Sequence, residues 1–190
     1  MDPLVLVIIG VAVVVVVIVG VWLWSSYHGL VKLHARVDDA WGEVTAQLER
    51  RAEVVPGLVG SVSAHASHEG GVVERVSAAR GATVDAGTPS EAAAAEERFQ
   101  AAVTAALAVA EGYPKLQSDP RFLQAQTDLV AAQDGIQAAR RAYNGSVREF
   151  NAKLGAFPSS LFVRGLGYGA RDFFEVSGAS AVAEPPRVQF

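Results

Sequence analysis

The hydrophobic and polar positions change rhythm along the chain. From Leu4 to Trp24 the run "LVLVIIGVAVVVVVIVGVWLW" holds no charge. Its 21 residues, at a helical rise of 1.5 Å, reach roughly 31 Å, the thickness of a bilayer's hydrocarbon core. Valine is a mediocre helix former in water, but lipid offers the backbone no other partner, so the helix forms. A second rhythm follows. Val37, Trp41, Val44, Leu48, Val55, Leu58 or Val59, Val62 and Ala66 recur mostly at steps of three and four. Val72, Val73 and Val76 extend the series. This spacing predicts one long amphipathic helix from about Tyr27 to Arg80. Pro56, in "RRAEVVPGLVG", breaks one backbone hydrogen bond of that helix. The flanking apolar residues stay in phase, which favours a kink over a chain reversal.

Three further signals divide the remainder. "GATVDAGT", residues 81–88, reads as a loop. "TPSE" opens the next helix: Thr88 caps, Pro89 suits the first helical position, and Glu91 completes a capping box. That helix is alanine-rich and stops at Gly112. "QSDPRF" opens the last long helix, whose stripe is Phe122, Leu129, Ile136, Tyr143, Val147, Phe150, Leu154 and Phe157. Alanines at 125, 132 and 139 fill the alternate positions, which is coiled-coil spacing. No strand rhythm appears. The fold class expected is all-α: an N-terminal transmembrane helix, then an elongated antiparallel helical bundle whose long first helix is kinked near Pro56. The expected divisions are a short outer N-terminus and membrane helix (1–26), the bundle (27–157), an aromatic and glycine-bearing segment (158–176) and a flexible tail (177–190). Three bundle helices would run out, back and out, leaving the aromatic segment far from the membrane.

Charge changes this picture only in location. Asp2 is the only charged residue before Lys32, whereas Lys32 and Arg36 follow the span closely. The positive-inside rule then places the N-terminus outside and the C-terminal domain in the cytoplasm of a bacterial plasma membrane. Trp22, Trp24 and Tyr27 form an aromatic belt at the same interface. A cleaved signal peptide would need a basic start and a small-residue cleavage site, and "MDP" supplies neither. The net charge of −4 gives no footprint for nucleic acid. With no cysteine, neither disulfides nor a lipid-modified cysteine anchor arises.

Candidate chemistry is sparse. "AHASHE" sets His65, His68 and Glu69 at i, i+3 and i+4, one face of a continuous helix and the weak candidate for a metal site. The order is neither H-E-x-x-H nor H-x-x-E-H, so a polar or partner-facing surface is the favoured reading. "RGLGYGARD" lacks the G-K-[ST] of a phosphate loop. Arg50 and Arg51 read as solvated or paired with carboxylates, with a partner contact as the alternative. Asn144 and Asn151 flank the last stripe and read as bonds across helices that fix register. Trp41 and Tyr143 belong to the core or an interface. Phe162, Phe173 and Phe174 read as aromatic anchors for assembly. No catalytic residues and no cofactor are expected.

The ordered set "VDDAWGEVTAQLERRAEVVPGLV", "AHASHE", "VSAAR", "YPKL", "ARRAYNGSVREFNAKLGAFP" and "DFFEV" resembles the LemA family of bacterial membrane proteins. Trp41, Pro56, His68, Glu69, Tyr143, Asn144 and Asn151 match its signature positions. The chain departs at Gly57, where family members carry more Asn-Leu character. The resemblance implies a single-pass anchor, a cytoplasmic helical domain and no established reaction. It also implies possible partners: membrane metalloproteases of the HtpX type and TPM-domain proteins. The function expected is therefore a membrane-anchored scaffold or adaptor that self-associates as a homo-oligomer and organises envelope partners or membrane shape. The alternatives are a regulator of a membrane metalloprotease and, below it, a metal-dependent enzyme on His65, His68 and Glu69.

Overall fold

The computed structural model describes residues 3–66, 68 and 70–176, leaving aside the side chains of 3, 5–8, 162 and 164. Six helices follow in order: α1 (Pro3–His65), α2 (Gly70–Val84), α3 (Pro89–Glu111), α4 (Pro114–Gln117), α5 (Pro120–Gly155) and α6 (Ser160–Leu166). There is no strand among the described residues. The chain divides into two compact units. The first holds Met1–Asp39 with Gly145–Arg171, and the second Ala40–Asn144 with Asp172–Phe190. Both α1 and α5 contribute residues to each. The expected tail, 177–190, lies outside the described residues.

Among its described residues the second unit packs four long helical segments, with the short α4 between the last two. Ala52 of α1 meets Arg80 late in α2, while Val62 belongs to a buried cluster against which Val73, at the start of α2, packs. Thus α2 runs back along α1. Glu96, early in α3, meets Arg51, and Ala110, late in α3, packs with Leu58 and Val62. Thus α3 runs with α1. Ala125, early in α5, approaches Gly57, and Gly135, later in α5, approaches Gln47, so α5 runs back again. Two apolar clusters fill the interior. One gathers Val55, Val76, Phe99 and Val103, the other Leu58, Val62, Leu116 and Phe122.

Local signals account for the helix ends. Thr88 is extended (φ −127°, ψ 155°) and its hydroxyl accepts from the Glu91 N–H at 3.2 Å. The Glu91 carboxylate accepts in return from the N–H groups of Thr88 (3.1 Å) and Gly87 (3.0 Å). The capping box is therefore closed on both sides. At α5 the Asp119 carboxylate accepts from the Arg121 N–H at 2.8 Å.

The main departure from the expected architecture is where the chain first turns. Pro56 lies inside α1, exposed, and the helix continues through it. The break comes at 66–69, and α2 begins on Gly70-Gly71. Ala66 still donates to the Val62 carbonyl at 2.8 Å, closing the last turn. The small residues and paired glycines of "AHASHEGG" let the backbone leave the helix, while Val72, Val73 and Val76 keep a helical rhythm that resumes on the way back. The bundle thus has four long helical segments rather than three, and the parity of the chain is reversed.

The first unit shows the consequence. Phe157 packs its ring 5.4 Å from that of Trp22, at the end of the apolar run. The hydroxyls of Ser26 and Ser159, both buried, are 2.8 Å apart. The aromatic segment therefore returns to the residues that close the apolar run, and is not remote from them. Phe157 itself, expected in the core stripe, is 67% exposed.

The apolar run of α1 stands bare. From Val11 to Trp24 its large apolar side chains are 44–69% exposed, apart from the half-buried Leu23. Among the described residues, α1 is the one helix long and apolar enough to cross a membrane.

Candidate functional site

The polar groups of the second unit converge on one buried pair. Arg51 and Glu96 are each 1% exposed. The Arg51 Nη1 donates to Glu96 Oε1 at 2.7 Å and Nη2 donates to Oε2 at 2.5 Å, a two-pronged ion pair. Nη1 also donates to the Gln133 side-chain oxygen at 3.0 Å, and Gln100 donates to Glu96 Oε1 at 2.9 Å. The Phe99 ring lies 3.9 Å from the guanidinium carbon and closes that face. One residue further along α1 a second arginine acts on the backbone. Pro56 has no N–H to offer the carbonyl of Ala52, four residues before it. Arg80 of α2 donates its Nε to that carbonyl at 2.7 Å. A bond that the helix cannot make is thus supplied from its neighbour, and no buried side-chain polar atom among the described residues lacks a partner.

The sequence carried a signal for this core that chemical type concealed. In the α1 stripe Leu48 and Val55 are seven residues apart, and Arg51 and Ala52 fill that gap. Glu96 stands four after Ala92 and three before Phe99, also in phase with its buried face. Arg51 is therefore paired with a carboxylate, one of the readings open to it. Arg50 is exposed.

The two asparagines do something other than bridge helices. In the first unit Asn151 donates to the Arg171 carbonyl and accepts from the Arg171 N–H, both at 2.9 Å. In the second, Asn144 donates to the Phe174 carbonyl at 3.1 Å and accepts from the Phe174 N–H at 2.9 Å. Each amide thus replaces a paired backbone for one residue of the non-helical segment 171–176. Tyr143 adds a hydroxyl bond to the Asp172 carbonyl at 2.8 Å. The readable signal is numerical: seven helical residues advance about 10.5 Å and three extended residues about 10 Å, so Asn144 and Asn151 suit residues three apart. Phe174, read as an assembly anchor, is buried within its own chain, with Trp41 6.1 Å from its ring and 5.3 Å from Tyr143. Phe173 is half-buried. The side chain of Phe162 lies outside the described residues.

The first unit holds a second polar cluster. The Arg171 Nη2 donates to Asp38 Oδ1 at 2.6 Å and reaches His34 Nε2 at 3.1 Å. A guanidinium can only donate, so Nε2 accepts and the His34 proton sits on Nδ1, 3.2 Å from Asp38 Oδ2. The imidazole stacks on Tyr168 at 4.2 Å and 16° and meets Phe150 edge-on at 5.5 Å. Arg36 pairs with Glu149 at 3.1 Å, both well exposed, and Lys32 is exposed. Trp22 and Trp24 are exposed and Tyr27 half-buried.

The metal candidate does not form the face expected of it. His65 ends α1, His68 lies in the turn, and Glu69 lies outside the described residues. With the helix broken at 66, the i, i+3, i+4 geometry does not apply. His65 instead lies with Nδ1 3.0 Å from the Ser61 carbonyl and 3.6 Å from Asp119 Oδ2. Among the described residues no three His, Asp or Glu side chains are grouped to hold a metal ion.

Two grooves open on the described surface of the second unit. One, of about 820 Å³, runs past Pro56, Gly57 and Gly60, with Arg50, Arg121 and Asp128 at its rim. The other, of about 400 Å³, has Ala78, Ala82, Ala101 and Ala105 between Arg75 and Arg98. No curated protein matches the chain. The LemA family model matches residues 40–190, which begin after the apolar run and carry the Arg51–Glu96 pair, the turn at 66–69 and both asparagine grips. By that match the chain belongs to the LemA family.

Proposed function

We propose that the protein is a membrane-anchored scaffold or adaptor that works by binding other proteins, without a reaction of its own. The observation that carries this reading is the contrast along α1. Its first part exposes valine after valine, while its second part is built into a bundle in which, among the described residues, no buried side-chain polar atom lacks a partner. Such a chain needs lipid at one end and offers a finished, rigid surface at the other. Lys32 and Arg36 support a cytoplasmic placement of that surface in the bacterial plasma membrane.

Self-association is the specific form favoured. The alanines of α3 largely face inward, but Ala101 and Ala105, with Ala78 and Ala82 of α2, leave a small-residue groove between two arginines. Backbones approach closely over alanine, so a helix of a second copy fits it. Light scattering on the full-length protein in detergent tests this. The expected particle is several times the chain mass of 19.9 kDa. Ala101→Glu with Ala105→Glu would reduce it to a single chain. A wild-type particle of one chain would remove self-association, and co-purification of a membrane metalloprotease with that monomer would favour a regulatory adaptor instead.

A further inference from the structure

We infer that the turn at Phe157–Leu161 is a second membrane contact, seated in the headgroup layer beside the end of the α1 span. The inference rests on the membrane-anchor reading above and extends it to a surface separated from the span by more than a hundred residues of chain.

Phe157 and Leu161 are 67% and 61% exposed, the highest values among the described large apolar side chains outside the α1 run. Their position is fixed. The Phe157 ring packs on Trp22 at 5.4 Å. Ser159 bonds Ser26, one helical turn after Trp22, at 2.8 Å, and both serines are buried. The Ser160 N–H donates to the Ala156 carbonyl at 2.9 Å and the Leu161 N–H to that of Pro158 at 3.0 Å, so the turn has its backbone satisfied locally.

Depth follows from the partner. Trp22 sits in the last turn of the 21-residue apolar run, where tryptophan settles at the boundary of headgroups and acyl chains. A ring in contact with Trp22 shares that depth. Lys153, four residues before Phe157, supplies a cation of the kind that reaches from such a site to phosphate. A second copy of the chain is the weaker occupant. Two side chains offer far less than the roughly 800 Å² per partner that a stable protein interface buries. Lipid needs no such area, because the patch continues an apolar surface already facing it.

The absence of cysteine makes the test direct. Three single-cysteine forms of the full-length protein are labelled with an environment-sensitive fluorophore and reconstituted in phosphatidylcholine–phosphatidylglycerol vesicles. Leu161→Cys probes the turn, Val16→Cys the span and Lys115→Cys the second unit. All three positions are exposed, so the fold is not at risk. The quenchers are lipids spin-labelled near the headgroup, lipids spin-labelled near the chain end, and aqueous iodide. The label at 161 is expected to be quenched by the shallow lipid at least about twofold more than by the deep one, as befits an interfacial group. Quenching at 161 by iodide only, or by none of the three because protein covers it, would overturn the inference, while lipid quenching at 16 would leave the anchor intact. A label at 16 that no lipid reaches would overturn the anchor reading, and this inference with it.

Discussion

Arg51 and Arg171 each hold a carboxylate, and the two pairs are not equivalent. Arg51 and Glu96 are both 1% exposed and are held further by Gln133, Gln100 and the Phe99 ring. Arg171 and Asp38 are 39% and 51% exposed. A pair in water gains little because solvent already stabilises each ion, whereas a buried pair depends on its partner completely. The difference predicts effects of different size and kind. Glu96→Ala leaves a guanidinium buried without its counter-charge and should cost about 3–5 kcal/mol. Thermal unfolding of the full-length protein in detergent, followed by helical circular dichroism, should show the midpoint falling by roughly 10 °C. Arg51→Met combined with Glu96→Leu should restore most of that loss, since it removes both charges and keeps the volume. If the double variant were no better than the single one, the pair would be contributing through specific geometry and not merely avoiding an unpaired charge.

The same contrast explains how much could be read in advance. The helices of the bundle follow from apolar rhythm and caps, and "TPSE" closes the box its letters promise. What rhythm could not show was a charged residue serving as core. Arg51 and Glu96 occupy stripe positions but belong to a residue type that normally seeks water. Nor could it place the first reversal. Proline is the louder breaker, yet Pro56 is absorbed, because Arg80 from another helix serves the carbonyl that it strands. The two glycines after "AHASHE" were the quieter and decisive signal. That break in the helix also undid the metal candidate, whose one-face geometry required a helix through 66–69. The asparagines read as bonds across helices and instead hold an extended segment, because a hydrogen-bonding side chain does not announce which kind of backbone its partner is.

Arg80 and Pro56 give a second and smaller test. Arg80→Met should leave the Ala52 carbonyl without a donor, at about 1–2 kcal/mol. In a chain that already carries Pro56→Ala, residue 56 regains an N–H and bonds Ala52 itself. Arg80→Met should then cost at least about 1 kcal/mol less, a coupling of the size seen between residues sharing one partner. Additive losses would mean that Arg80 acts through its packing along α1 and not through the stranded carbonyl.

The smallest effect expected is at the exposed end of the comparison. Asp38→Asn removes the charge that faces Arg171 but keeps an oxygen that can accept from it. Arg171 also retains its backbone grip by Asn151, which does not depend on charge. The loss should be below about 1 kcal/mol in dilute buffer, and it should shrink further in molar salt, where the screening length falls to roughly 3 Å. Glu96→Ala measured in the same salt series should keep nearly its full cost, because ions do not reach a pair with 1% exposure. The decisive quantity is therefore the ratio of the two losses as salt rises. A growing ratio follows from burial setting the worth of each pair. A constant ratio would show that both clusters act mainly through the hydrogen bonds their side chains make, with net charge secondary in each.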